Sequence, residues 1–336
     1  MLKKLISVLI ATDLFGSAVF ASELQHHEEC QTGKSCFVEA QLYENGDNHT
    51  QDFDKAIKLY KKACDLNNPQ ACTKLAMMYL EGRGCKRDPD KAFILFDRSC
   101  KGGFELACSY LGIMHIKGDG IPKNTELGIK LLNRGCDNNE DFSCLNLGYM
   151  YEHGIAFEKN ISSAKHYYEK ACYGGNMKGC ANLGNFYFYG YNSTEPDMNK
   201  ALNLFTKACK EDEEIACANL GLMYQNGIAV KQDYLTAAEY YKKSCDGDAV
   251  EGCANLGMLY ASGLGVVKDL NLAFDYEKIA CDNSVADGCL LVATMYEEGK
   301  GKEKDMGKAL EYYKNACDLG SDEGCDSYKK LMQKNR

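Results

Sequence analysis

Leucine sets a regular beat along the chain at Leu75, Leu111, Leu147, Leu183, Leu220 and Leu256, and Val292 continues the line. One position later runs a column of small residues, Ala76, Gly112, Gly148, Gly184, Gly221, Gly257 and Ala293, with Ala40 as its N-terminal member. An apolar knob beside a small residue predicts a helix that packs closely against a neighbour. The beat is 36 residues, once 37. A period of this length predicts a solenoid of helix pairs, each burying its apolar face against the units beside it.

Polar and glycine columns predict where the helices stop and start. A glycine closes the first helix of each unit, at Gly46, Gly82, Gly118, Gly154, Gly190, Gly227, Gly263 and Gly299, because a residue free to take positive φ ends a helix there. About six residues on stands Asp52, Asp88, Asn124, Asn160, Asp197, Asp233, Asp269 or Asp305, a short oxygen-bearing side chain suited to cap the second helix. Pro89 fits the first helical position. The one extra residue falls between Tyr191 and Asp197, in a loop.

Cysteine keeps the same period. The pairs are Cys64 and Cys72, Cys100 and Cys108, Cys136 and Cys144, Cys172 and Cys180, Cys209 and Cys217, Cys245 and Cys253, Cys281 and Cys289, and Cys317 and Cys325. Along one helix, eight residues would part the Cα atoms by about 12 Å, beyond the roughly 7 Å a disulfide spans. A turn such as Gly174-Gly175 removes the difficulty: one cysteine ends a second helix, the other begins the next first helix, and a disulfide staples them. Zinc is the rival reading, but paired C-x2-C groups and accompanying histidines are missing. Cys30 and Cys36 make a shortened pair at the N-terminal cap, and Cys85 is left as a free thiol, in a slot filled elsewhere by Ile121, Phe157, Val230 and Val266.

The compartment follows. Lys3 and Lys4 precede an apolar run ending in Val19, Phe20 and Ala21, which reads as a secretory signal over residues 1–21. Nineteen cysteines behind such a signal imply a disulfide framework in a secreted or periplasmic protein. The net charge of −9, without a basic run, argues against nucleic acid. No later segment is long enough for a membrane span.

The stretches GCANLGNFY, GLGVVKDLNLAFDY and EYYKNAC resemble Sel1-like repeats, relatives of the tetratricopeptide repeat. With a cysteine pair in each unit, the chain is similar to the Helicobacter cysteine-rich proteins. The resemblance implies an interaction scaffold whose first helices line a groove for peptides. It also implies a second activity, since members of the cysteine-rich family are described as beta-lactamases or penicillin-binding proteins.

The residues give the second implication little support. Ser162 with Lys165, and Ser327 with Lys330, match the S-x-x-K element of serine beta-lactamases, but neither K-T-G nor S-D-N occurs. The catalytic residues of such an activity are therefore unknown. His26 to Cys30 gathers possible metal ligands on the N-terminal cap, while His49, His115, His153 and His166 are scattered, His115 in a column otherwise held by tyrosine. No metal or cofactor is expected. Of the N-x-S/T sequons at Asn48, Asn160 and Asn192, Asn160 also belongs to the cap column.

Binding has a more regular signature. Two residues after the leading cysteine stand Asn146, Asn182, Asn219 and Asn255, with Lys74, Tyr110 and Leu291 where the series breaks. Stacked units would present these amides as a ladder able to donate to and accept from an extended peptide backbone. The alternative is that each amide bonds carbonyls of its own repeat. The expectation is an all-α, right-handed superhelical solenoid of disulfide-stapled repeats. It divides into a signal peptide (1–21), an N-terminal cap (22–34), eight Sel1-like repeats (35–323) and a C-terminal cap helix (324–336). A monomer is expected, binding a peptide or protein ligand, host proteins or peptidoglycan peptides among them.

Overall fold

The computed structural model describes residues 30–47, 50–191 and 195–334, so the signal segment, the cluster from His26 to Glu29, and Asn48, His49 and Asn192 lie outside the described residues. Among the described residues every regular element is a helix, and the chain forms two compact units. The first, ending at Phe104, holds α1 (Gly33–Asn45), α2 (Phe53–Asp65), α3 (Pro69–Glu81) and α4 (Pro89–Lys101). The second, from Glu105, holds α5 (Glu105–Lys117), α6 (Thr125–Asp137), α7 (Asp141–His153), α8 (Ile161–Gly174), α9 (Met177–Tyr189), α10 (Met198–Lys210) and α11 (Glu214–Asn226). It continues through α12 (Tyr234–Asp246), α13 (Val250–Ser262), α14 (Leu270–Asp282), α15 (Ala286–Glu298), α16 (Met306–Asp318) and α17 (Asp322–Lys334). Within each unit a helix packs mainly on the helices before and after it in sequence, the signature of a repeat solenoid.

The caps form where the polar columns place them. The Asp233 carboxylate accepts the backbone N–H groups of Leu235 at 3.0 Å and Thr236 at 3.2 Å, and Asn160 accepts that of Ser163 at 3.0 Å. The loop before each cap closes on the first helix: the Asp233 N–H donates to Tyr224 O at 2.9 Å and the Asn124 N–H to His115 O at 2.8 Å. His115 thus occupies the register that tyrosine holds in other repeats. At the end of α7, Gly154 takes φ 69°, a conformation open to glycine at no steric cost.

The chain reverses between paired cysteines at a residue in the left-handed region. Three residues after the first cysteine, that residue is Asn139, Gly175, Asp212, Asp248, Ser284 or Gly320 in the second unit, and Asn67 or Gly103 in the first. The reversal brings the Cα atoms of Cys172 and Cys180 to 4.4 Å and those of Cys64 and Cys72 to 4.7 Å, and both pairs are disulfides. Disulfides also join Cys30 to Cys36, Cys136 to Cys144, Cys209 to Cys217, Cys245 to Cys253, Cys281 to Cys289 and Cys317 to Cys325. Cys100 in the first unit and Cys108 in the second are oxidised as well. Cys85 is a free, half-buried thiol whose Sγ lies 3.6 Å from Met78 O, and burial raises its pKa.

The core is a column of large residues on the second helices, Tyr60, Phe96, Leu132, Tyr168, Phe205, Tyr241 and Tyr313, all buried. Each ring or side chain meets the small column of the preceding first helix. A Cβ added to Gly148 would stand 2.7 Å from the Tyr168 ring, and one added to Gly221 would stand 2.5 Å from that of Tyr241. Where the core residue is tyrosine, its hydroxyl donates to a side chain sixteen residues earlier: Tyr60 to Glu44, Tyr168 to Glu152 at 2.6 Å, Tyr241 to Gln225 at 2.9 Å and Tyr313 to Glu297 at 2.6 Å. Where it is Phe96 or Leu132, that earlier position holds Leu80 or Ile116. A buried hydroxyl needs an acceptor and a hydrocarbon does not, so the two positions vary together.

Candidate functional site

In the second unit, four first helices carry the asparagines. On α7 the residues three and seven positions after Asn146 are Tyr149 and His153; the same steps from Asn182 on α9 reach Asn185 and Tyr189. On α11 they reach Leu222 and Asn226 from Asn219, and on α13 Met258 and Ser262 from Asn255. Residues at these spacings share one helix face. The asparagines are half-buried, whereas Tyr149 is 48% exposed, Tyr189 60% and Met258 46%. The face therefore offers amides at its base and large side chains beside them.

The amides are not equivalent. Asn146 Nδ2 donates to Phe142 O of its own helix at 2.7 Å. Asn219 Nδ2 donates to Asn185 Oδ1 at 3.0 Å, joining α11 to α9; this cross-helix rung runs to Asn185 rather than to Asn182. The Asn182 amide lies near the Tyr168 hydroxyl and acts to lower its pKa. Nearby, the Tyr149 and His153 rings stack with centroids 4.1 Å apart. Asn146 thus follows the own-repeat pattern, while Asn219 makes contact between repeats.

The serine–lysine pairs have different surroundings. Ser162 is exposed in the first turn of α8. Lys165 Nζ lies 3.9 Å from Glu169 Oε1 and 4.7 Å from the centroid of the Tyr187 ring. On α17, Ser327 is half-buried and Lys330 exposed. Among the described residues, no group of three or more His, Cys, Asp or Glu is placed to hold a metal ion. His153 and His166 are exposed on separate helices.

The sequence reading did not single out the second-helix core column or its partners sixteen residues away. The signal was present, because both positions recur with the beat of the cysteines. Their relation depends on which side chains face each other across a helix pair, which periodicity alone does not state.

The repeat also matches a known pattern. The Sel1 repeat is found at residues 36–68, 69–104, 106–140, 142–176, 178–213, 215–248, 250–285 and 286–321. The chain belongs to the Sel1 repeat family. Among solved structures, this Sel1 chain is similar to c5321, described as a protective antigen of uropathogenic Escherichia coli with an SLR fold, at 24% identity and TM-score 0.68. The match covers 90% of this chain and 65% of that one, so the chain spans about two thirds of that relative's length. A Sel1 repeat protein from Oxalobacter formigenes matches at 22% identity and TM-score 0.63, covering 89% of this chain and 86% of that one. Helicobacter pylori cysteine rich protein B is 32% identical over 39% of this chain and 94% of its own, with TM-score 0.32. No curated protein matches the chain. At these identities the first two likenesses establish the fold and nothing further. Among the described residues, no helix is long and apolar enough to cross a membrane, and the disulfides point to a non-reducing, extracytoplasmic setting.

Proposed function

We propose that this Sel1 protein is an extracytoplasmic scaffold of the cysteine-rich kind that holds an extended peptide or protein segment along the first-helix face of α7, α9, α11 and α13. The observation that supports this reading is the run of half-buried amides at Asn146, Asn182, Asn219 and Asn255 beside exposed Tyr149, Tyr189 and Met258. Amides can pair with any peptide backbone, and exposed aromatic and methionine side chains supply adaptable apolar contact. Segments of host proteins and peptidoglycan stem peptides are ligands of suitable chemistry.

The test is a display of extended peptides screened against the oxidised protein, with the best binder titrated into Asn182→Ala/Asn219→Ala. Binding should fall at least tenfold while the thermal midpoint shifts by a few degrees, since half-buried hydrogen bonds contribute about 1 kcal/mol each. Unchanged binding would remove the face from consideration. The family resemblance also carries beta-lactam hydrolysis, for which no residue set is assembled among the described residues. Incubation with a chromogenic cephalosporin should give no turnover above background; turnover that survives Ser162→Ala and Ser327→Ala would mean an enzyme with an unfamiliar site.

A further inference from the structure

One repeat departs from the core column. Where other repeats place tyrosine, phenylalanine or leucine, α14 carries Glu277, and its side chain is 3% exposed. Sixteen residues earlier, where Glu44, Glu152, Gln225 and Glu297 accept from tyrosine, stands Ala261. The seventh repeat has thus lost both the ring and its acceptor. Beside these two positions lies a cavity of about 390 Å³ lined by Met258, Ala261, Leu291, Met295 and Glu277, within the range of small-ligand sites. The Glu277 Oε1 atom is buried with no hydrogen-bond partner.

Such an atom is costly. A buried polar group without a partner forfeits its hydration and gains nothing in exchange. Burial, with Asp287 adding repulsion, pushes the Glu277 carboxyl up to about 8, which favours its protonated form at neutral pH. Met258, Ser262 and Leu291 belong to the first-helix face: the first two follow Asn255, and Leu291 takes the asparagine position in the next repeat. The cavity therefore opens where the amide series ends. Its charged neighbours are Lys268 before α14, Glu298 on α15 and Lys300 after α15, while α13 lends it only Met258, Ala261 and Ser262. Lys300 is already paired with Glu298 at 2.6 Å.

The geometry points to a binding site for an aliphatic primary ammonium, whose carbon chain lies along Met258, Leu291 and Met295 and whose N–H groups donate to the Glu277 carboxylate, which lines the cavity. The apolar walls take the methylenes, and a charge-assisted bond offsets the burial of the carboxylate. Two sources share this chemistry: a free alkylamine, and a lysine side chain of a bound peptide. The lysine source rests on the proposed peptide-binding face; the ammonium site itself does not.

The experiment is calorimetric titration of the oxidised full chain with n-hexylamine, hexan-1-ol and N-acetyl-lysine N-methylamide between pH 6 and pH 8.5. Hexylamine should bind saturably and tighten by about tenfold per pH unit as pH rises from 6 towards 8, because binding the ammonium displaces the carboxyl proton to solvent, while hexan-1-ol binds at least tenfold more weakly at pH 8. Glu277→Gln should cost hexylamine tenfold or more and flatten its pH dependence. Ala261→Gln/Glu277→Tyr, which rebuilds the pair seen at Gln225 and Tyr241, should fill the cavity and abolish binding. Binding of the lysine derivative with the same pH dependence assigns a peptide source; hexylamine binding alone assigns a free amine. Equal binding of the alcohol, absence of hexylamine binding, or indifference to Glu277→Gln would overturn the proposal. Asn182→Ala/Asn219→Ala should leave hexylamine binding intact, so that failure of the peptide face and failure of this site are read separately.

Discussion

Tyr241 and Glu277 hold the same register one repeat apart, and their surroundings differ accordingly. The Tyr241 ring covers Gly221 and its hydroxyl reaches Gln225; burial holds the phenol well above its ordinary range. Glu277 faces Gly257, where an added Cβ would stand 2.8 Å from Oε1. A packed ring cannot retreat, whereas a carboxyl beside a cavity can. Gly221→Ala should therefore destabilise by about 1–3 kcal/mol, as overpacking does, and Gly257→Ala by less; denaturant titration of the two variants makes the comparison. The tyrosine–acceptor pairs allow a second test. Tyr168→Phe should cost about 1 kcal/mol, and adding Glu152→Leu should recover part of it, because Phe96 with Leu80 is the apolar form of the same pair. Chemical denaturation of the single and double variants reads the coupling.

Helices of thirteen or fourteen residues are marginal alone, and the hairpin carries what the single helix lacks. Each receives an N-terminal cap or a packed face, and each reversal between paired cysteines is covalently closed. Cys172→Ser/Cys180→Ser should cost about 2.5 kcal/mol by the loop-entropy estimate, read as a lower denaturation midpoint, with the fully reduced parent, which loses every staple, lower still. Lysines reinforce the stack. Lys207 Nζ donates to Cys172 O at 3.3 Å and Lys243 Nζ to Cys209 O at 2.5 Å, so each reaches the C-terminal turn of the preceding second helix. A cation there complements the negative end of the helix dipole. The series ends at Ile279, in the repeat that also holds the buried carboxyl.

Over the whole molecule, two sets of carboxyls set the response to pH. The caps Asp52, Asp197 and Asp233 are held below the usual carboxylate range, chiefly by backbone N–H groups, and Asp88 chiefly by Lys91. Their stabilisation is present above the unfolded pKa and is lost as pH falls through the lower folded values. Glu277 acts in the opposite sense. Between its ordinary value of 4.5 and about 8 the folded chain keeps a proton that the unfolded chain has released. Stability should thus decline by about 1.4 kcal/mol per pH unit across that window. Thermal scans from pH 4.5 to 8 should show this decline in the parent and a shallower one in Glu277→Gln, where Glu213, also raised by burial, remains.

How much of this was legible in the sequence depends on how local the cause is. The 36-residue beat, the helix ends at Gly154 or Asp233 and the pairing of Cys172 with Cys180 follow from spacing and backbone chemistry, because each rests on residues close together in the chain. The turn was legible at glycines such as Gly175 and Gly320, but at Asn67, Asn139, Asp212, Asp248 and Ser284 it uses Asn, Asp or Ser in a left-handed conformation that glycine positions alone do not reveal. The amide series was visible as a column, yet only packing decided that Asn219 bonds Asn185 on the neighbouring first helix. The sequence by itself determined the repeat, its caps and its staples. The tertiary structure decided which side chains meet across helices, and therefore that Ala261 and Glu277 together leave a cavity with an unpaired oxygen, since a void is a property of three packed helices and of no single one.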